Sequence, residues 1–396
     1  MLEYHEIDPF LSKCVRCGNC KAVFGLFEPS CPAGERFRFE GFYSSGKIWI
    51  ARGLRDGVLD WEDPELVRKL FACTLCANCT QQCPMTVRER IIEVFEALRA
   101  EAVRRKAGPL SGHKKLKDSV IQYRNPWMQP RRRRTHSLKD LGVKVLGESA
   151  GAKAPVLYFV GCTAALDPSL EPIVSGTVAL LQKAQVDFGV LGEEEICCGS
   201  VMLRIGERDL ARDLARRIQR QVARLGVETV VTSCAGCYKT LTQDYPHLAP
   251  LSARVIHASQ FVLELVVRGR IEFDRLDPVC VTYHDPCHLG RHSGVYDPPR
   301  KLLKALPGVR LIEMSRSREN SWCCGAGGGV RSAFPEWALE TSRTRVAEAE
   351  QTGADALVTA CPFCLQNLAV GIQASGSRMR AYDLTAILAE KIRSKG

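Results

Sequence analysis

Two matched cysteine patterns in the second half of the chain constrain its fold more than any other feature. In the first, thirty-four residues separate Cys162 from Cys197-Cys198-Gly199, and thirty-five separate Cys198 from Cys234-Ala-Gly-Cys237. In the second, thirty-five separate Cys287 from Cys323-Cys324-Gly325, and thirty-six separate Cys324 from Cys361-Pro-Phe-Cys364. Matching positions are offset by 125, 126 and 127 residues, the mark of an internal duplication. Each copy offers five thiols, one more than a tetrahedral zinc or an ordinary cubane iron-sulfur cluster takes up. β-rich runs at 156–160, 229–232, 279–283 and 356–359 end at or just before Cys162, Cys234, Cys287 and Cys361, with amphipathic helical stretches at 210–225 and 337–351 among them. That alternation predicts α/β units with parallel strands. Open α/β sheets place ligands at strand C-terminal ends, so the cysteines are expected to converge on two nearby pockets.

The first hundred residues carry a different pattern. Cys73-x2-Cys76-x2-Cys79-x3-Cys83-Pro84 is the two-cluster ferredoxin run without deviation. Cys14-x2-Cys17-x2-Cys20 starts a second copy, but ten residues rather than three precede its fourth cysteine, at Cys31-Pro32. In such pairs the tight turn wraps three corners of one cube and the fourth cysteine serves its neighbour. This assigns Cys14, Cys17, Cys20 and Cys83 to one 4Fe-4S cluster, and Cys73, Cys76, Cys79 and Cys31 to the other. Four thiolates also suit zinc, the alternative at each site. Helices are predicted over 64–71 and 86–107, packing around the clusters.

The net charge of +11 is concentrated in one stretch. Between residues 99 and 134, twelve Lys and Arg stand against Glu101 and Asp118, a balance of +10. With Gly108, Pro109, Gly112, Pro126 and Pro130 in it, this stretch is expected to be a solvated basic connector or a docking strip for an acidic partner or lipid surface. Its peak, Arg131 to Arg134, has no aromatic platform or helix-turn-helix pattern beside it, which argues against nucleic acid. The N-terminus lacks the basic and apolar regions of a signal peptide, and no apolar run approaches the length of a membrane span. A cytoplasmic protein is expected, and there regularly spaced cysteines are metal or cluster ligands rather than disulfides.

Three further features carry weaker signals. Cys324-Gly-Ala-Gly-Gly-Gly329 does not fit a dinucleotide loop and better suits backbone N–H groups approaching anionic sulfides. His284, His288 and His292 flank Cys287 at four-residue intervals. On one helix face they would bind zinc with Cys287 or, at His288, supply protons to a substrate thiolate; structural histidines bonded to backbone carbonyls are the plain alternative. Cys280 lies outside every pattern and is expected to be a buried structural thiol.

Taken together, both five-cysteine patterns resemble the CCG domain of heterodisulfide reductases, and the whole chain apart from the connector resembles the fused catalytic subunit of that family. The resemblance implies an α+β/α/β multidomain chain: an N-terminal α-helical two-cluster ferredoxin-like domain (1–107), the basic connector (108–152), and two duplicated α/β CCG domains (153–272 and 273–396). It implies one noncubane 4Fe-4S cluster on Cys162, Cys197, Cys198, Cys234 and Cys237, and another on Cys287, Cys323, Cys324, Cys361 and Cys364. These ten cysteines would then be catalytic in reducing or forming a disulfide, fed by the two cubane clusters. The implied partners are a small disulfide or thiol and a redox subunit: a b-type cytochrome, a flavoprotein or a ferredoxin. The membrane's inner face would be reached only through such a partner. Iron-sulfur subunits of glycolate and D-lactate oxidases are similar in layout, so an electron carrier between a flavin dehydrogenase (2-hydroxy acid or acyl-CoA type) and the quinone pool is the alternative.

Overall fold

In a computed structural model, residues 1–147 and 151–392 are described. The N-terminal part is helical. Pro64 opens the helix Pro64–Phe71, and Asp63 caps it by accepting from the backbone N–H groups of Glu65 and Leu66, satisfying donors that a helix start leaves free. The stretch expected as one helix over 86–107 is a 3-10 turn, Thr86–Glu89, followed by the helix Ile91–Arg104. Val94, Phe95 and Leu98 face Leu66, Leu70 and Phe71 in a core that also takes in Ile48 and Leu54 of the helix Ser44–Arg55.

The second half holds two all-parallel sheets. The first contains β1 (Lys144–Val145), β2 (Val156–Tyr158), β3 (Phe188–Val190), β4 (Thr229–Thr232) and β5 (Arg254–His257), in the order β1-β3-β2-β4-β5. The second contains β6 (Val279–His284), β7 (Val309–Leu311), β8 (Ala356–Thr359) and β9 (Arg380–Asp383), in the order β7-β6-β8-β9. Removing β1 makes the two orders identical, and the registers agree: Tyr158 pairs with Val231 as Tyr283 pairs with Val358. The sequence duplication is thus a structural one. Crossover helices such as Arg208–Leu225 and Pro335–Glu350 cover the strands, whose buried β-branched residues suit a sheet packed on both faces.

The connector differs from expectation. Residues Ser111–Tyr123 are helical, with Val120 fully buried, and β1 adds a fifth strand alongside β3. Arg134, within the expected solvated run, is 1% exposed and donates from Nη1 to Glu195 Oε1 at 2.8 Å. Arg99, at the other end of the strip, is likewise buried. Burial follows from partners elsewhere in the chain, which local composition does not reveal; Arg131, Arg132 and Arg133 stay exposed. Residues 148–150 of the expected connector and 393–396 of the second CCG domain lie outside the described residues.

Candidate metal centres and the cavity between the repeats

Cys14, Cys17, Cys20 and Cys83 line one small cavity, and Cys31, Cys73, Cys76 and Cys79 line a second. Ser44 lines both, so the cavities are neighbours. The ten-residue segment before Cys31 forms a tight loop closed by a bridge between Ala22 and Pro29, which returns the chain so that Cys31 faces the second set. Burial pushes the Cys31 thiol up to about 12, so a thiolate there needs a cation beside it. Lys47, itself fully buried, has its pKa lowered by that burial and is opposed by the charges of Cys73 and Cys31.

Nine of the ten cysteines of the two motifs line a single cavity of roughly 360 Å³; Cys323 is the exception. Two pockets were expected, and the repeats instead share one. Within the first motif Cys198 Sγ lies 3.4 Å from Cys237 Sγ, and across the repeats Cys234 neighbours Cys361. Cys323 sits between Cys287 and Cys76, which ties the second motif to the N-terminal set. The Cys-Cys-Gly turns are geometric twins. Gly199 N–H points at Cys197 Sγ and Gly325 N–H at Cys323 Sγ, each at 3.4 Å, and both glycines have positive φ, 85° and 92°. Cys162 is held well above the ordinary thiol range by Cys197 beside it and by burial, and Cys287 by Cys323 and burial. Their neighbours move the other way, Cys198 in the first motif and Cys324 in the second being lowered by hydrogen bonds from adjacent thiols, so each motif holds crowded sulfurs that share protons, a donor set that fits iron-sulfur clusters.

Each strand-end loop leading into a motif is pinned by a buried ion pair. Glu195 accepts from the N–H groups of Val160 and Gly161, both at 2.9 Å, and from Arg134. In the second repeat Asp285 takes a bidentate contact from Arg300, at 2.6 and 2.8 Å, and accepts from the N–H of Arg318.

Comparison with known proteins matches this architecture. Residues 156–242 and 281–369 match the cysteine-rich domain family (CCG), and residues 10–87 match a 4Fe-4S dicluster domain. One subunit of the dihydromethanophenazine:CoB–CoM heterodisulfide reductase of Methanosarcina barkeri is 35% identical over 410 residues, covering 96% of this chain and 94% of that one. The chain belongs to this heterodisulfide reductase subunit family. The corresponding subunit of Methanosarcina mazei is 34% identical with the same coverage. The EtfAB:quinone oxidoreductase of Syntrophomonas wolfei is 31% identical over 333 residues, and the match spans 46% of its length. A solved structure, a hypothetical protein from Helicobacter pylori, superposes with a TM-score of 0.58 over 89% of this chain and 68% of its own, at 8% identity, a likeness of fold. The chain is thus an iron-sulfur oxidoreductase subunit with a dicluster domain and two CCG domains, and no helix among its described residues is long and apolar enough to cross a membrane.

In this heterodisulfide reductase relative the three histidines do not share a helix face. His284 ends β6, and Pro286 begins a run of turns that carries His288 and His292. His284 Nδ1 accepts from Arg345 Nε at 3.1 Å, and burial followed by the Arg345 charge lowers its pKa to about 3. The ring is therefore neutral with its proton on Nε2, which has no partner among the described residues, and a ring nitrogen lies within 4.8 Å of the Cys324 and Cys364 sulfurs, away from the expected arrangement with Cys287. His288 lines the shared cavity, while His292 contacts the Leu75 carbonyl at 2.8 Å. Cys280 is half-buried on β6, its sulfur 2.9 Å from Arg310 Nη2. Sequence reasoning missed Trp127, Met128, Phe363 and Arg331, which line the shared cavity. The first two fall in the connector, where a Pro-Trp-Met triplet was the available signal.

Proposed function

We propose that this chain is the catalytic subunit of a disulfide reductase, taking a disulfide RSSR′, two electrons and two protons to RSH and R′SH. The observation that carries the reading is the single cavity lined by cysteines of both repeats. An electron carrier needs only closely spaced centres, whereas a disulfide-cleaving site needs a hollow that brings two metal-binding motifs to one substrate. Cys14, Cys17, Cys20 and Cys83 would hold one cubane cluster, and Cys31, Cys73, Cys76 and Cys79 the other. The five cysteines of each CCG motif would hold a noncubane cluster. When bound, such clusters supply one-electron storage and thiophilic iron for the two product sulfurs.

The chain's own residues shape and dry the site. Cys-Cys-Gly N–H groups steady sulfur, His284 offers a fixed Nε2–H on the second motif, and apolar walls from the connector exclude water. His288, on the cavity wall, would relay a proton to a departing thiolate as a neutral ring, since burial and then the neighbouring cations lower its pKa well below the ordinary imidazole value. The electron donor would be a separate subunit, a b-type cytochrome, flavoprotein or ferredoxin, meeting the chain near Cys17, the exposed member of the first set. The membrane would be reached through such a partner.

Anaerobically purified protein should contain about sixteen irons per chain, and viologen-reduced protein should cleave small disulfides without another subunit. A full iron complement with no disulfide cleavage, and with electrons passing to a co-purifying flavoprotein, would replace this reading with the carrier role.

A further inference from the structure

The two motifs match in their cysteines and differ in what stands beside them. Three residues before the first cysteine of each motif, the first repeat has Phe159 and the second His284; four residues after it, the first has Leu166 and the second Arg291. At both places the second repeat carries a hydrogen-bond donor where the first carries an apolar side chain.

His284 is held so that one donor is left over. Its Nδ1 accepts from Arg345 Nε at 3.1 Å, and Arg345 is itself 0% exposed, fixed by Glu348, Ser321 and the Arg316 carbonyl. The ring proton therefore sits on Nε2, which is buried and has no acceptor among the described residues, while a ring nitrogen lies within 4.8 Å of the Cys324 and Cys364 sulfurs. With Nδ1 engaged and Nε2 protonated the imidazole has no lone pair for a metal, so it is a donor and not a ligand. Arg291 adds a charge. Its Nε donates to the Cys76 carbonyl at 2.7 Å and its Nη1 to the Ser321 carbonyl at 2.5 Å, its Nη2 is buried without a partner, and among the described residues no carboxylate forms an ion pair with it. Burial opposes that charge, and the neighbouring sulfurs of Cys76, Cys287 and Cys323 favour it. Neither His284 nor Arg291 lines the shared cavity.

We propose that His284 and Arg291 are positioning residues that make the second motif the first to take up an electron. A donated N–H and an uncompensated buried cation both favour added negative charge on a cluster held by the second motif, and Arg291 reaches at the same time to Cys76 of the N-terminal set. The proposal rests on the reading that both motifs carry iron-sulfur clusters and adds the order in which they are reduced. The step is the transfer of one electron: the centre of Cys31, Cys73, Cys76 and Cys79 is oxidised by one, the centre of the second motif is reduced by one, and no bond forms or breaks. The first motif, with Phe159 and Leu166 at the matching places, follows.

Anaerobic redox titration of holo-protein, followed by electron paramagnetic resonance alongside iron analysis, reads the order directly, and the signal missing from Cys324→Ala protein marks the second motif. In the unaltered protein that signal should change at the higher potential of the two motifs. His284→Phe and Arg291→Met should each lower its reduction equilibrium roughly 10-fold, about 59 mV for one electron, and leave the first motif's signal where it was. His284→Gln, which keeps an N–H donor, should recover part of that shift. With a disulfide substrate the Phe and Met variants should lower kcat and leave KM unchanged. A first motif that titrates at the higher potential in the unaltered protein would overturn the proposal without recourse to any variant. So would His284→Phe and Arg291→Met proteins that keep full iron and both titrate like the unaltered one; a shift in only one assigns the order to that residue. About eight irons per chain, with no signal beyond the N-terminal centres, would refute the cluster reading and the proposal with it, whereas about sixteen irons with the reverse order would refute the proposal alone.

Discussion

Arg99 should be the residue on which the assembly of the three parts depends most. It is 0% exposed and makes five hydrogen bonds, all to backbone carbonyls. Nε donates to Leu70 at 3.0 Å; Nη2 donates to Phe71 and Cys73 at 3.1 and 2.7 Å; Nη1 donates to Arg204 and Gly328 at 2.7 and 2.8 Å. One guanidinium thus joins the N-terminal domain to the first repeat, through Arg204, and to the second, through Gly328 beside its Cys-Cys-Gly turn. Burial lowers its pKa to about 10, so it remains charged at neutral pH. A hydrogen bond to a charged group contributes about 1.5–3 kcal/mol, but the five share one ion whose desolvation is recovered on removal. Arg99→Met should therefore cost about 3–5 kcal/mol, the range for breaking a buried ionic contact. Arg99→Lys retains at most three donors and leaves two carbonyls bare, at about 2–3 kcal/mol. Urea unfolding of anaerobic holo-protein, read by iron-sulfur absorbance and far-UV circular dichroism, measures both. An Arg99→Met midpoint equal to that of the unaltered protein would show that the domains are held by something other than this guanidinium.

Three further outcomes are expected. Burial raises Asp383 to about 7, so the folded chain keeps a proton that the unfolded chain, with an ordinary carboxyl near 3.9, gives up; stability falls as pH rises from about 4 to about 7 and levels off above, by up to about 4 kcal/mol. Asp383→Asn keeps the cap on the Thr385 N–H and should flatten that slope between pH 5.5 and 8, so parallel denaturation profiles would discount the burial argument. A Cβ on Gly325 would lie 2.5 Å from the Ala338 carbonyl oxygen, whereas one on Gly199 would meet nothing closer than 3.5 Å, so Gly325→Ala should lower the melting temperature and iron content well beyond Gly199→Ala, whose cost is the positive φ alone, about 1–2 kcal/mol. Cys324→Ala should end disulfide cleavage and remove about four irons while dithionite still reduces the N-terminal centres; retention of cleavage would exclude the second motif from the chemistry.

The parts legible in the sequence were those whose signal is local. Three cysteines at two-residue spacing impose a tight turn wherever they occur, and the trailing Cys-Pro marks a strand of chain leaving for its neighbour, so the grouping of Cys31 with Cys73, Cys76 and Cys79 around one cavity was within reach despite the long spacer. The duplicated offsets likewise foretold two sheets of one design. Local signal could not supply long-range partnership. Arg134 resembled solvated charge because Glu195 lies sixty-one residues on. The three histidines had helical spacing, yet β6 runs through His284 and Pro286 interrupts the helical pattern. The fusion of two expected pockets into one depends on how the sheets face each other, which no single motif encodes.

Duplication made two similar halves, and their surroundings make them unequal. At the strand position where the first repeat has Phe159 the second has His284, as the shared register of Tyr158 and Tyr283 shows. Phe159 is a buried core residue with no polar group to offer, whereas His284, its tautomer fixed by Arg345, has a ring nitrogen within 4.8 Å of the Cys324 and Cys364 sulfurs. Cys323 of the second motif also neighbours Cys76 of the N-terminal set, while the first motif is bordered by the connector, whose Arg124 carbonyl accepts from the Cys197 N–H at 2.8 Å. Donors near sulfur stabilise a more reduced, more negative centre, and apolar surroundings disfavour one. The second motif thus has His284 and the N-terminal Cys76 beside it, whereas the first is bordered by the connector. The two repeats therefore present unlike walls to the cavity they share, and the connector is one of the elements that makes them unlike.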